Sequence, residues 1–260
     1  HKIENSTITF SDSLDQNHWV LDKTTPSFVR STINTNMNIE TAADKLNKMI
    51  GLKQVKEQFN TIMNTIKVQQ NGADKNYAFS NNFIFAGDPG VGKTTIANIF
   101  GEALFEVGAI PENKITKVTV DDLIKGYVGQ TASNVRDILD KALGGVVFID
   151  EAYQLSVKNG QNTFNDEALS VLIRYMEDHR DNLVVIAAGY TKEMKEFLAS
   201  NVGLSRRFQW IEFEDYTAQE MSEIFELVRD SYKDEYDDER LKAIIPALFD
   251  KLIQVNLSIP

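Results

Sequence analysis

The string Gly87-Asp88-Pro89-Gly90-Val91-Gly92-Lys93-Thr94 constrains this chain more than any other eight residues in it. It fits G-x-x-x-x-G-K-[ST], and it stands where that pattern has physical meaning. The apolar run Phe83-Ile84-Phe85-Ala86 precedes it, and Thr95-Ile96-Ala97-Asn98-Ile99-Phe100 opens a helical run after it. Glycines let the backbone curl so that successive N–H groups converge on phosphate oxygens. The N-terminus of the following helix adds its partial positive charge. Lys93 then reaches the outer phosphates, and Thr94 offers a hydroxyl to magnesium. An idle glycine turn is the bland alternative; a chance match arises in roughly one chain in a hundred of this length. The expectation is a loop that takes ATP with magnesium through Asp88, Pro89, Gly90, Val91, Gly92, Lys93, Thr94 and Thr95.

The segments around this loop alternate. Apolar strands are predicted at Asn82–Ala86, Ile115–Val120, Val146–Asp150, Leu183–Ala188 and Gln209–Phe213, with helices at Thr94–Val107, Thr131–Leu143, Phe164–His179 and Thr191–Ala199. Near-continuous apolar strands between amphipathic helices predict an α/β fold, a P-loop NTPase parallel sheet sandwiched by helices. Before it, Leu46, Met49, Val55, Phe59, Ile62, Met63 and Ile66 recur at helical spacing, giving a helix or a helix pair broken near Gly51. After it, Thr217–Tyr232 and Asp238–Val255 read as the helices of a small lid. Residues 1–40 hold 16 Ser, Thr or Asn, a density that marks a linker or the tail of an upstream domain, with a strand or hairpin of low stability near Phe28–Ile33. The expected boundaries are thus 1–40 for the tail, 41–215 for the α/β core, and 216–260 for the helical lid. The chain opens on His1 and not on Met, which reads as a piece of something longer.

Composition narrows the chemistry. A net charge of -11 repels phosphate backbones, so direct nucleic-acid binding is not expected as the main task. With 0 cysteines there are no disulfides, thiolate metal sites or thiol nucleophiles. His1, His18 and His179 are too scattered to form a metal site. The longest apolar runs, such as Leu183 to Gly189, are too short to span a bilayer, and no charged-then-apolar leader opens the chain. A cytoplasmic location without membrane insertion is the expectation.

Val146-Val147-Phe148-Ile149-Asp150-Glu151 supplies the second half of the chemistry. A buried strand ends there in two carboxylates, at the sheet edge where open α/β folds bind ligands. Asp150 is expected to hold magnesium together with Thr94. Glu151 is expected to orient and deprotonate the attacking water. The alternative is that Asp150 only caps the next helix. A guanine-reading N-K-x-D string is absent, because Asn47-Lys48 and Asn113-Lys114 lack the following Asp. Neither H-E-x-x-H nor G-x-S-x-G occurs.

With these strings in place, the sequence resembles an AAA+ ATPase, and more narrowly the CbbX/SpoVK/EccA-like group. Ile50-Gly51-Leu52-Lys53-Gln54-Val55-Lys56, Ala86 to Thr95, and Gly126-Tyr127-Val128-Gly129-Gln130-Thr131-Ala132 carry the likeness. So do Gly144-Gly145-Val146 to Ala152-Tyr153, Val185-Ile186-Ala187-Ala188-Gly189-Tyr190-Thr191 and Gly203-Leu204-Ser205-Arg206-Arg207-Phe208. They cover about residues 45–230. The phosphate loop is common to many families, whereas the G-G-V-V-F-I-D-E-A-Y and A-A-G-Y-T strings are far more selective.

The resemblance implies a ring, usually a homo-hexamer, with ATP held between neighbouring subunits. It makes Arg207 the arginine that acts on the next subunit's nucleotide, with Arg206 in reserve and a pair of surface cations as the alternative. Ile50, Gly51 and Leu52 match the segment lining the adenine pocket, or simple core packing. Tyr127 matches an aromatic pore-loop residue that grips a threaded polypeptide, or a core tyrosine. The sensor strand lacks the asparagine of many AAA+ proteins, leaving that role to Thr191 or Tyr190. The lid stops at Pro260, before the helix that normally carries a second sensing arginine, which implies weaker hydrolysis or assembly. The implied function is ATP-driven remodelling of a protein partner, like a chaperone. Members of the group act on Rubisco (CbbX type), in type VII secretion (EccA type) or in sporulation (SpoVK type). With 19 Lys against 8 Arg, the chain leans to the secretion or sporulation branch over a CbbX-like Rubisco activase. A nucleotide-dependent switch or scaffold that threads nothing is the rival reading.

Overall fold

The computed structural model describes residues 8–12, 15–21, 28–30, 40–70, 82–124, 130–156, 163–232 and 245–251. Backbone contacts divide the chain into two compact units, His1–Glu40 and Thr41–Pro260. In the first, strands β1 (Ile8–Asp12), β2 (Asp15–Leu21) and β3 (Phe28–Arg30) form an antiparallel sheet in that order. Trp19 of the middle strand is paired with Ile8 on one side and Arg30 on the other.

The second unit begins with α1 (Ala42–Lys48), started by a reciprocal cap in which Thr41 and Asp44 each accept from the other's backbone N–H. Gly51 at φ +65° and Leu52 at φ +57° then turn the chain into α2 (Lys53–Gln70). A left-handed leucine is costly, and its side chain offsets that by being buried, at 4% exposure. This is the break expected near Gly51.

The core follows as β4 (Asn82–Ala86), α3 (Lys93–Glu106), β5 (Ile115–Val118), α4 (Val120–Leu123), α5 (Thr131–Ala142) and β6 (Val146–Ile149). A 3-10 turn (Ala152–Leu155), α6 (Thr163–Asp178), β7 (Val184–Gly189), α7 (Thr191–Ser200), α8 (Val202–Ser205), β8 (Phe208–Glu212) and α9 (Ala218–Tyr232) complete it. Residues 245–251 are also helical; the rest of the helix expected at Asp238–Val255 lies outside the described residues. The short elements α4, α8 and the 3-10 turn had no counterpart in the periodicity.

Strands β4 to β8 form one sheet in the order β5-β6-β7-β4-β8, with every neighbouring pair parallel. Alternate residues feed two cores. Phe83, Phe85, Phe148 and Ile186 pack with α1, α2 and α3 on one face. Ile84, Val147, Ile149 and Val185 pack with α5, α6 and α7 on the other. Both faces are covered, which is why the strands read as unbroken apolar runs. Phe100 of α3 meets Phe59, Phe83 and Phe85 edge-on at 5.0, 5.4 and 5.2 Å, fixing that helix to the sheet. The buried Asn82 side chain accepts from the Val185 N–H at 2.7 Å, which pins β4 to β7. The chain leaves β4 for β5 at the far edge and returns later to β4's two sides. That reversal opens a crevice at the carboxyl end of β4.

Candidate nucleotide site

The phosphate loop fills that crevice. It leaves β4 at Gly87, whose N–H donates to the Gly189 carbonyl at the end of β7 (3.1 Å). On the other side, the Phe213 N–H donates to the Ala86 carbonyl (2.7 Å). The loop is thus clamped by both neighbours of β4. Gly90 at φ +83° and Gly92 at φ +91° take left-handed conformations that L side chains rarely adopt. Gly92 caps α3, so the first amides of that helix face the loop. Gly87 has no space for a side chain: a Cβ there would lie 2.7 Å from the Phe213 Cβ and 2.8 Å from its carbonyl oxygen.

Lys93 folds back over the loop. Its Nζ donates to the carbonyls of Gly87 (2.7 Å) and Asp88 (2.8 Å). Burial pushes the ammonium below its usual range, while the charges of Asp150 and then Asp88 pull it back up. A cleft of about 400 Å³ is lined by Pro89, Gly90, Gly92, Lys93, Thr94, Thr95, Asp150, Glu151, Gly189 and Tyr190. Residues 60 positions apart in the chain therefore converge as the two motifs required.

Glu151 is the unusual member. It follows β6 in the left-handed region at φ +50°, ψ +38°, a conformation that a non-glycine residue adopts at a cost of order 1 kcal/mol. The consequence is a sharp turn that leaves its carboxylate exposed at the cleft. Gln154 of the 3-10 turn donates to that carboxylate. The Gln154 carbonyl in turn accepts from the buried Asn165 side chain of α6 (2.7 Å). Tyr153 and Tyr190 lie with ring centroids 5.8 Å apart. Burial, and then the charge of Glu151, hold the Tyr153 hydroxyl above its usual range.

Several expected residues sit elsewhere. Thr191 and Asp88 line a second, neighbouring cavity of about 640 Å³, together with Tyr190 and Lys192. Of the two sensor candidates, Tyr190 is the one that lines the cleft. Val91 is buried beneath the loop. Ile50, Gly51 and Leu52 are not part of the cleft lining; Gly51 abuts Tyr216 and Glu220, where an added Cβ would lie 2.8 Å from Glu220 Oε1. The Tyr216 hydroxyl donates to the Val91 carbonyl (3.4 Å), so a residue two positions before α9 touches the phosphate loop directly. Tyr216 and Gln154 escaped the motif reading. The capping-box spacing of Thr217 and Glu220 was the one available signal near Tyr216. Tyr127 lies outside the described residues.

Arg207 and Arg206 are remote from this cleft. They occupy the turn between α8 and β8, where Arg206 is exposed and Arg207 is partly covered. Arg207 Nη2 and Nε donate to Glu177 Oε2 at 2.8 and 3.2 Å, and Nη1 donates to the Gly203 carbonyl at 2.8 Å.

A parallel sheet with a glycine loop between an interior strand and a helix defines a P-loop nucleotide-binding protein. Residues 83–215, about half of the chain, match the family described as "ATPase family associated with various cellular activities (AAA)". The chain belongs to this AAA ATPase family. It is 38% identical over 196 residues to the chromosomal protein CbxX of Cupriavidus necator, covering 74% of this chain and 62% of that one. It is 35% identical over 184 residues to stage V sporulation protein K of Bacillus subtilis, covering 69% and 57%. With the ESX-1 secretion system protein EccA1 of Mycolicibacterium smegmatis it shares 39% over 212 residues, covering 79% and 37%. The chain thus spans 62% of the length of CbxX and smaller shares of the other two. The crystal structure of the FIGL-1 AAA domain in complex with ADP shares the fold, with a TM-score of 0.55 at 20% identity over 76% of this chain and 65% of that one. The expected membership of the CbbX/SpoVK/EccA-like group and the P-loop sheet are both confirmed. Among the described residues, no helix is long and apolar enough to cross a membrane.

Proposed function

We propose that this chain hydrolyses ATP at a site completed by a neighbouring copy, and that the cycle remodels a protein client. The register of β4 against β8 carries this reading. Phe208 pairs with Asn82 at the start of β4, and Glu212 pairs with Ala86 at its end. Arg207 precedes the first pair and the phosphate loop follows the last. They are separated by roughly 20 Å of strand at about 3.3 Å per residue, well beyond the reach of an arginine side chain. Arg207 therefore suits a nucleotide bound to another subunit and cannot serve its own.

Within one cleft the roles divide by chemistry. Loop amides and Lys93 bind the phosphates and neutralise their charge. Glu151 accepts a proton from the water that attacks the terminal phosphorus, and the bridging oxygen leaves with ADP. Arg207 of the adjacent copy stabilises the charge that builds up during transfer. A magnesium ion fits the donor set, because the Thr94 hydroxyl and the Asp150 carboxylate are hard oxygen ligands lining one cleft with room for a triphosphate. When bound, the ion would screen the phosphate oxygens. Tyr190 would contact the terminal phosphate. Ile50, Gly51 and Leu52 would flank the base, outside the cleft that takes the phosphates.

A homo-hexameric ring, a cytoplasmic setting and threading by Tyr127 complete the proposal. The pathway proposed is secretion or sporulation, after two relatives named for those processes. Glu151→Gln tests the core of it. ATP should remain bound, turnover should fall by about a hundredfold or more, and ATP-held assemblies should persist in size-exclusion chromatography. Unchanged turnover in that variant would remove Glu151 from the chemistry.

A further inference from the structure

We propose that Glu177 is the positioning residue for Arg207, holding its guanidinium in the orientation that the neighbouring cleft needs. The inference rests on the reading of Arg207 as acting across the subunit contact. Its geometry is specific. Two nitrogens along one edge of the guanidinium, Nε and Nη2, converge on the single oxygen Oε2 of Glu177, while Nη1 donates to the Gly203 carbonyl. Three directed bonds fix both the position and the plane of a group that otherwise swings on four rotatable bonds.

The platform beneath it is rigid. Glu177 belongs to the last turn of α6, whose Leu172, Tyr175 and Met176 are buried in the core. The Tyr175 hydroxyl donates to Asp140 Oδ1 of α5 at 2.5 Å, tying the two helices together. The other anchor is rigid too, because the Asn201 side chain accepts from the Gly203 N–H at 2.8 Å. A Cβ on Gly203 would lie 3.0 Å from that Asn201 oxygen and 3.3 Å from Arg207 Nη1, so a residue without a side chain lets the guanidinium settle on the carbonyl.

Folding stability does not account for this arrangement. The Glu177 side chain is 55% exposed and that of Arg207 28%, and ion pairs with that much access to water contribute little to the fold. Orientation is a different matter. An arginine that must meet developing charge loses far less freedom on docking when its rotamers are already set. Supporting groups that aim a functional side chain are worth one to two orders of magnitude in other sites. The pair is 30 residues apart in sequence and ties the end of α6 to the turn before β8.

Glu177→Gln keeps the shape and removes the charge. In the assembled protein, ATPase kcat should fall about tenfold to a hundredfold, with KM for ATP within about twofold and the thermal midpoint nearly unmoved. Glu177→Asp should restore part of the loss. Mixing Glu177→Gln with Lys93→Ala copies adds a readout that a structural role would not move. The first has an intact cleft, the second an intact arginine turn, and turnover should recover in mixed assemblies. Wild-type kcat in Glu177→Gln, while Arg207→Ala is inactive, would overturn the positioning role alone. Wild-type kcat in Arg207→Ala itself would overturn the cross-subunit reading and this inference with it. A Glu177→Gln loss that mixing does not rescue would also overturn the inference, since the effect would then lie within one subunit.

Discussion

The phosphate loop and the arginine turn lie at opposite ends of the same pair of strands and are built by opposite means. The loop is made of backbone. Left-handed Gly90 and Gly92, a crowded Gly87 and clamps from Gly189 and Phe213 leave it one shape. The turn works through a side chain: the Glu177 carboxylate and the Gly203 carbonyl hold the Arg207 guanidinium from outside. The difference fits what each end would have to do. A cradle for phosphate gains from being preformed, because its amides then cost no reorganisation when charge arrives. A group offered to a neighbour needs a defined direction and still has to yield as the contact forms.

Substitutions at the two ends sharpen or break that contrast. Lys93→Ala carries the largest expected effect. Losing the ammonium should weaken ATP binding by about thirtyfold or more, as truncating one partner of a charge pair typically costs about 2–5 kcal/mol. Arg207→Ala should leave ATP affinity within about threefold when both are titrated by calorimetry. Equal losses of affinity would erase the distinction between the two ends. Gly87→Ala comes next. Its Cβ has nowhere to go between Phe213 and Val91, and overpacking of this kind costs about 1–3 kcal/mol. Several degrees should be lost in a thermal melt, against almost none for Glu177→Gln; a silent Gly87→Ala would mean the loop is softer than its contacts indicate.

The smallest effect concerns Asp215, in the short connection before α9. Its carboxyl titrates above the usual range, through burial first and then the charge of Asp88. The folded state therefore keeps a proton that the unfolded chain has already released, and stability falls as pH rises from the ordinary carboxylate value through the raised one. Asp215→Asn should melt slightly above the parent at pH 7, with the gap closing towards pH 4. A gap that widens on acidification would reverse the sign of the coupling.

The contrast also explains what the sequence could disclose. Backbone-built function is written as a contiguous string, so Gly87 to Thr95 and Val146 to Glu151 were readable without coordinates, as were the strands that place them. The two-faced alternation of β4, with Phe83 and Phe85 on one side and Ile84 and Ala86 on the other, follows from period 2 alone. Side-chain-built function is spread out. Glu177 is one of many acidic residues on a helix, and nothing local marks it as the partner of Arg207. Tyr216 reaches Val91 from 125 residues away. Tyr190 and Thr191 could not be separated in the string A-A-G-Y-T, although only Tyr190 reaches the phosphate cleft while both line the neighbouring cavity. The single-turn helices α4 and α8 are shorter than any periodicity can register. The Ser/Thr/Asn-rich opening was expected to be loose apart from a possible hairpin, and its described residues make three strands.

The spacing along β4 and β8 has one further consequence. If no chain can bring its own Arg207 to its own cleft, the unit of catalysis is a contact between molecules and not a molecule. Dilution alone would then silence the enzyme, and turnover per chain would climb with concentration until every cleft had a neighbour. A cell could set the activity simply by how many copies it makes.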